Sequence, residues 1–544
     1  MNSQRTSGWD GEITLVSQLA AAASLFAFLF YFRSHELLLY GDAIAHINIA
    51  RRVIDSRTPG LLQLGTVWLP LPHLLMIPFL PSDAAWQTGI AGSIPSMCGY
   101  VLATAGVFRL VRSCCEGPLS INGRIAAWLS AVVFAANPNL LYMQATAMTE
   151  VLYLAFFIWT VVHFSDFVRD TGAGNSSLMK SGLCLLGACL TRYDGWFLSA
   201  VMCVTTVVVI VCQKRSAARG ALTEFLLLAI AGPAIWLGYN AAIYRNPLEF
   251  ANGPYSARAI EQEKTALSQS SPHPGWHNLP VSFSYFLKAA EDNAAEGKLQ
   301  KVWLVLLAVA AAAILIFRRN CCSPLLLLVP LVFYPLSIAY GSIPIYLPEW
   351  WPFGYYNVRF GLELLPAFAG AAGAVLYVLL ALISKRTAQI TSATLLATFI
   401  AATFGLIWKA QPICYREAWV NSRTRIAFET TLAATLVKLP HDSTLLMYLG
   451  DHVGALQDAG IPLHRTINEG NHRPWRKPAD AEGLWEKALA DPKQYADYVI
   501  AIDDDPVSRK VQRRDLTSMV VIRTGDQAPA TIYWTHRMPG NQAR

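Results

Sequence analysis

The chain has 544 residues, of which 54% are hydrophobic and only 15% charged, and its mean hydropathy is +0.36. A single water-soluble core stops growing beyond about 250–300 residues, so this much apolar sequence calls for lipid as a second solvent. The composition excludes a soluble enzyme, a disordered chain and a disulfide-stapled secreted scaffold, and the net charge of +7, from 43 basic and 36 acidic residues, gives no support to nucleic-acid binding.

A spanning helix needs about 20 mostly apolar residues. The first is predicted at 14–34; its apolar stretch Ile13–Phe32 is long and lacks the small-residue cleavage site of a signal peptide. Next, the apolar run Val67–Leu80 carries Pro70, Pro72 and Pro78, with Pro81 just beyond. Proline breaks helices, so this run is predicted to be re-entrant or interfacial. Further spans are predicted at 86–112, 124–143, 150–168, 180–197, 198–213, 221–243, 302–317, 323–343, 360–383 and 389–408, about eleven in all. Arg112 with Arg124, Arg169 with Lys180, Lys214–Arg215 with Arg219, Arg318–Arg319 and Lys385–Arg386 then fall on one side. The positive-inside rule makes that side cytoplasmic, with the N-terminus inside and the longer, chemically varied loops outside.

Beyond residue 408 the pattern changes. An amphipathic stretch, Tyr415–Leu439, leads into short strand-like runs at Ser443–Leu449, Leu463–Ile467, Tyr498–Ile502, Met519–Arg523 and Thr531–Trp534. Helical stretches, including His452–Ala459 and Glu482–Ala496, lie between them, and Asp458-Ala459-Gly460-Ile461-Pro462 reads as a helix stop. The reading is therefore an all-α polytopic membrane bundle, 1–408, followed by an extracytoplasmic soluble α/β domain, 409–544. Of the ten cysteines, Cys98, Cys184, Cys189, Cys203 and Cys212 sit in apolar runs, Cys114–Cys115 and Cys321–Cys322 sit beside basic residues, and Cys414 lies near the C-terminal region. None has zinc-site spacing, and they read as small apolar packing groups.

The outer loops hold the candidate chemistry. In Tyr40-Gly41-Asp42-Ala43-Ile44-Ala45-His46, Asp42 and His46 are four apart and share a helix face. The surrounding isoleucines make the stretch amphipathic, which predicts a helix along the membrane surface. Asp42 reads either as a general base, within reach of an acceptor hydroxyl, or as a helix N-cap. His46 reads as a hydrogen-bonding partner rather than a metal ligand. Thr149-Glu150 opens an apolar helix; Glu150 is either a first-turn charge favoured by the helix dipole or a carboxylate facing the same cavity as Asp42, as acids in spanning regions tend to do. Arg192-Tyr193 and Tyr355-Tyr356-Asn357-Val358-Arg359 sit at predicted outer ends of spans. A guanidinium fork suits phosphate oxygens, whereas the bland alternatives are pairing of Arg192 with Asp194 or lipid headgroups, and of Arg359 with Glu363. Trp350 and Trp351 read as interfacial aromatics.

In this order, the features resemble the GT-C membrane glycosyltransferases, particularly the bacterial branch related to protein O-mannosyltransferases and the aminoarabinose transferase of lipid A. An acid after the first span is matched by Asp42, followed by Trp68-Leu69-Pro70-Leu71-Pro72. An acid opening a later helix is matched by Glu150, a basic-aromatic pair by Arg192-Tyr193, and an Arg before a Leu-Pro span by Arg359 to Pro366. The resemblance covers residues 14–408. It implies a polyprenyl-phosphate-linked sugar donor, a lipid, glycan or protein acceptor, and transfer on the outer face of the cytoplasmic (inner) membrane. Asp42, Glu150 and His46 would be catalytic, and Arg192, Tyr193, Tyr355, Arg359 and Trp68 would bind substrate. Ala43 stands where the eukaryotic-type mannosyltransferases have Glu, Pro352 follows Trp350-Trp351 where oligosaccharyltransferases have Asp, and the first outer loop has no Asp-x-Asp. No metal ligand is therefore assigned and no cofactor is expected, a divalent ion being left open. The competing readings are a secondary transporter, which would show two-half symmetry that is absent here, a non-catalytic scaffold, and a polymerase or ligase of envelope polysaccharide.

Overall fold

The computed structural model describes residues 3–115, 120–169, 174–213, 219–268, 272–317, 322–450, 452–471, 483–512 and 516–536. Lys214, Arg215, Arg318, Arg319 and Cys321, used above for orientation and cysteine environment, lie outside these, as does Glu482. Among the described residues, nine helical stretches are long and apolar enough to cross a membrane: Gly11–Arg33, Ile90–Cys114, Glu150–Arg169, Asp194–Cys212, Gly220–Tyr244, Leu299–Ile316, Ser323–Tyr340, Val358–Leu382 and Arg386–Leu436. The expected span at 124–143 is instead the helix Ile121–Ala135, followed by a separate turn of helix, Pro138–Met143. Pro138 cannot donate into the preceding turn, and Asn137 caps the new helix through its side chain. The expected span at 180–197 lies mostly in the helix Gly174–Thr191, which stops before Asp194.

The chain forms two compact units, each discontinuous in sequence. One comprises Met1–Ser34, Ser93–Ile235 and Ala257–Glu417; the other comprises His35–Gly92, Trp236–Ser256 and Ala418–Arg544.

The first unit is helical. Its loop ends are joined by buried amides. Asn293 donates to the carbonyls of Ala289 and Val358, both at 2.8 Å, and its own carbonyl accepts from Asn137 at 2.9 Å and Asn139 at 3.2 Å. Asn139 in turn accepts from the Cys414 backbone at 2.9 Å. Buried backbone groups need partners, and these amides supply them where the helices stop. The 3-10 turn Val358–Leu364 follows Asn357, which takes the left-handed conformation (φ 56) and donates to the Pro344 carbonyl at 2.9 Å. This turn lies so close to the helix Leu279–Ala294 that a side chain at Gly361 would collide with the Ala289 carbonyl.

The second unit holds a five-stranded sheet of β1 (Leu445–Met447), β2 (Thr466–Ile467), β3 (Tyr498–Ile502), β4 (Thr517–Ile522) and β5 (Ala530–Trp534), in the order β2-β1-β3-β5-β4. The β1–β2 and β1–β3 pairs are parallel, and β3–β5 and β4–β5 are antiparallel. Central β3 is buried along its whole length and carries Val499, Ile500 and Ala501, as expected for a strand covered on both faces. Trp485, Ala488 and Leu489 of the helix Leu484–Ala490 pack with Leu446, Val499 and Ala501. The predicted helix stop is present: the helix Gly454–Ala459 ends at Gly460 with φ 65, a conformation glycine adopts without strain.

Replacing Gly361 by Ala should displace the turn from the helix beneath it. The expected loss is about 1–3 kcal/mol, checked as a fall in the unfolding temperature of the purified protein in detergent.

Candidate active site

The first unit gathers charges at helix ends. Glu150 opens the helix Glu150–Arg169, Arg192 occupies the turn before the helix Asp194–Cys212, Arg359 and Glu363 lie in the turn Val358–Leu364, and Glu417 lies near the start of the helix Ile413–Leu436. All are buried or nearly so, with Glu150 1% and Glu363 0% exposed. One oxygen of Glu150 accepts from both arginines, from Arg192 Nη1 at 3.0 Å and Arg359 Nε at 3.0 Å. Arg192 also donates to Asp194 at 3.2 Å, Thr149 at 3.2 Å and the Tyr334 hydroxyl at 3.3 Å. Tyr334 donates to Asp194 at 2.5 Å. Arg359 spans to Glu417, with Nη1 donating at 2.9 Å and its backbone N–H at 3.2 Å. Both guanidinia lie over the Phe360 ring, at 5.0 and 5.3 Å from its centroid, which adds cation–π attraction. The carboxylates of Asp194 and Glu150 thus meet the buried Arg192 guanidinium, with Glu363 farther off.

Glu363 stands apart. Its closest charged partner is Arg192 Nε at 3.9 Å, and neither carboxyl oxygen has a hydrogen-bond partner among the described residues. The alternative considered for Arg359, pairing with Glu363 four residues on, is not made. Spacing of four aligns side chains on an α-helix, but this segment is a 3-10 turn, in which four residues carry the chain well past one turn. Arg192, by contrast, does pair with Asp194, one of its two alternatives, and pairs with Glu150 as well. Tyr193 packs edge-on against Trp196, and Tyr355 packs partly buried against the cluster of Tyr285, Phe286 and Tyr334.

Asp42, His46 and Trp68 belong to the second unit. Asp42 is the second residue of the helix Gly41–Ile54, half-exposed; Tyr40 occupies the cap position, with no side-chain cap bond, so Asp42 is a first-turn residue rather than the cap. His46, one turn on, is buried. Its Nδ1 lies 2.9 Å from Nε2 of His73, and its ring lies 4.7 Å from Trp68. His73 comes from the helix Pro70–Met76, within the proline-interrupted run. The helix Gly41–Ile54 has eight buried residues of its fourteen; of its buried polar residues His46 meets His73, Arg51 meets Asp55 and Asp83, and Asn48 meets a C-terminal residue. Asn48 donates to Gln457 at 2.6 Å and accepts from Trp86 at 3.0 Å, while Gln457 donates to the Trp86 carbonyl at 2.7 Å. Just past the helix, Asp55 accepts from Arg51 at 2.8 Å, from the Leu463 and His464 backbones at 3.1 Å and from His464 Nδ1 at 2.5 Å. Burial alone would raise the Asp55 pKa, but the hydrogen bonds from Arg51 and His464 overcome it and the net direction is down. A helix whose sequence reads as a membrane-surface amphipath thus has a polar face occupied by protein partners.

Sequence reasoning missed Glu417, Tyr334 and His73, and it named Asp194 and Glu363 only as partners of arginines. His73 had a signal, as the single titratable residue in Val67–Leu80. Glu417 was absorbed into the amphipathic pattern of Tyr415–Leu439. Among the described residues, no group of three or more His, Cys, Asp or Glu side chains is arranged to hold a metal ion.

With this architecture, the chain has the fold of ArnT. It superposes on ArnT from Cupriavidus metallidurans bound to undecaprenyl phosphate with a TM-score of 0.55 at 13% identity, over 96% of this chain and 98% of that one. Apo ArnT gives the same score and identity, over 97% and 98%. The archaeal oligosaccharyltransferase AglB from Archaeoglobus fulgidus, in complex with an inhibitory peptide and a dolichol-phosphate, gives 0.46 at 12% identity, over 97% of this chain and 75% of that one. No family profile and no curated protein sequence matches the chain.

Removing Arg359 leaves Glu417 and Glu150 buried beside one fewer cation, so Arg359→Ala should cost about 3–5 kcal/mol. Adding Glu417→Ala should return part of that loss, which a double-mutant cycle of unfolding in detergent would measure. For Asp55, a depressed folded-state pKa gives stability that is present above the unfolded value near 3.8 and lost as pH falls through the folded value. Asp55→Asn should therefore lower the unfolding temperature at neutral pH, and the gap from wild type should close below about pH 4.

Proposed function

We propose that this protein is a membrane glycosyltransferase. It moves a glycosyl group from a polyprenyl-phosphate-linked donor to an acceptor hydroxyl on a lipid, glycan or protein, at the outer face of a cytoplasmic membrane. The observation that carries this reading is the near full-length likeness to ArnT, which was crystallised with undecaprenyl phosphate. A second support is the cluster in which Arg192 and Arg359 pair with Glu150, at the ends of segments apolar enough to span a bilayer. Ionisable groups in such segments are costly and mark functional positions.

In the proposed mechanism Asp42 takes the proton of the acceptor hydroxyl as that oxygen attacks the anomeric carbon. The bond to the donor phosphate breaks, and the polyprenyl phosphate leaves with the electron pair. The half-exposed position of Asp42 in a helix's first turn suits a base that must meet an incoming group. His46, one turn along, orients the hydroxyl. Glu150 orients the donor sugar or the acceptor, and the guanidinia of Arg192 and Arg359 balance the charge that develops on the leaving phosphate. Their present bonds to Glu150, Asp194 and Glu417 hold both forks in place ahead of that event. Tyr193, Tyr355 and Trp68 contribute aromatic surface for the donor. Residues 409–544 are proposed to be extracytoplasmic. A transporter reading has less support, because the sequence lacks two-half symmetry.

The test uses purified protein in liposomes with a panel of radiolabelled polyprenyl-phosphate sugars, wild type beside Asp42→Asn. Wild type should release sugar to water or an added acceptor from at least one donor. Asp42→Asn should lose this activity by at least 100-fold, on the order of a general base's contribution, with an unchanged unfolding temperature. Full activity in a folded Asp42→Asn protein would remove Asp42 from the mechanism.

A further inference from the structure

The helix Gly41–Ile54 begins without a side-chain cap bond from Tyr40. The residues just before it are held by another route. Leu37, Leu39 and Tyr40 are buried, and backbone carbonyls away from water need donors. Arg425, 386 residues beyond Leu39 on the helix Ile413–Leu436, supplies them. Its Nη2 donates to the Leu38 carbonyl at 3.1 Å and to the Leu39 carbonyl at 2.9 Å, so the two hydrogens of one nitrogen serve two successive peptide groups. Nη1 donates to Glu429 Oε2 at 2.6 Å, one turn along the same helix, and the two side chains are only 13% and 7% exposed. The guanidinium Nε lies 4.0 Å from where a side-chain carbon would stand at Gly41. Glu429 is itself hemmed in: a side chain at Gly454 would collide with its carboxylate, and His452 Nδ1 stands 3.9 Å from its other oxygen.

Asp42 follows directly on Gly41, so this grip falls just ahead of the proposed base. Bonds to two successive carbonyls fix the rotation of the chain as well as its position, which a single bond would not do. The direction in which the helix leaves the loop follows from them. We propose that Arg425 is a positioning residue for Asp42: its fork on the Leu38 and Leu39 carbonyls, braced by Glu429, fixes the start of the helix Gly41–Ile54 and with it the Asp42 carboxylate. The kinetic consequence rests on the transferase reading with Asp42 as base; the hold on the helix start does not. A base must lie within hydrogen-bond reach of the proton it takes, and a displacement of about 1 Å at a reacting group costs about 100-fold in rate. Arg425 acts through Asp42, so it changes turnover and leaves donor affinity alone.

Arg425→Met alone would leave Glu429 buried without its cation, so the comparison is made between Glu429→Gln and the double variant Arg425→Met with Glu429→Gln. Both are full-length proteins in lipid nanodiscs, followed by hydrogen exchange and mass spectrometry. The backbone amides of residues 38–47 should exchange about 10-fold or more faster in the double variant, the scale of losing hydrogen bonds from a charged donor. Exchange in β3 and the unfolding temperature should be the same in the two proteins. In proteoliposomes with the best donor of the panel, kcat for sugar release should fall about 10-fold or more between them, with the donor KM unchanged. Arg425→Lys in the otherwise native chain keeps a cation for Glu429 but has one nitrogen in place of the fork. It should shift exchange at 38–47 and kcat in the same directions relative to wild type. Unaltered exchange at 38–47 in both comparisons, faster exchange with undiminished kcat, or a raised donor KM in place of a lowered kcat would overturn the proposal. If wild type turns over no donor while exchange at 38–47 quickens as expected, the transferase reading fails and the hold of Arg425 on the helix start stands.

Discussion

Burial of the Glu150 carboxylate shapes the first unit. A lone ionised carboxylate away from water costs several kcal/mol even after the protein relaxes, and here a single oxygen is met by two guanidinia approaching from separate helix ends. Each arginine then carries the obligation onward, Arg192 to Asp194 and Tyr334, Arg359 to Glu417. Lysine could not substitute, because the connections depend on a planar fork whose nitrogens reach different partners at fixed angles. The ends of five helical elements are tied together through polar contacts that would be liabilities singly.

The amide network beside this cluster follows the same logic without charge. Asn137, Asn139 and Asn293 lie where helices terminate, and each satisfies backbone or side-chain groups from another segment. Their positions set where the turn Val358–Leu364 leaves the bundle, and hence where Arg359 and Glu363 project. The glycine at 361 permits the close approach to the Ala289 carbonyl that this geometry needs.

How much of this was legible in the sequence depends on the range of the interaction. The β-runs at 498–502 and 531–534 could be read because alternation and burial are local signals, and these strands pair as Ile500 with Ile532. The membrane character of the chain was legible for the same reason. Partners were not. Arg359 and Glu150 are 209 residues apart, Arg192 and Tyr334 are 142 apart, and no periodicity links them. The local alternative for Arg359, a pair with Glu363 at a spacing of four, is not realised because that spacing presumes an α-helix where the chain forms a tighter turn. His73 was overlooked because the run around it reads as apolar and broken by prolines, and its partner His46 lies 27 residues earlier on a different helix.

The contacts of the helix Gly41–Ile54 bear on how the protein is made. Asn48 meets Gln457, and Asp55 meets Leu463 and His464, at separations of 408 or 409 residues. Synthesis runs from the N-terminus at about 5–20 residues per second, so this early helix leaves the ribosome some twenty seconds or more before the segment that satisfies its polar groups. In that interval Asn48 has Trp86 and Asp55 has Arg51, but the contacts to Gln457, Leu463 and His464 are still missing. The nascent membrane bundle therefore carries an unfinished second unit until the last quarter of the chain arrives, and a polypeptide released early would hold Asp42 on a helix seated only through early residues such as His73, Asp83 and Trp86.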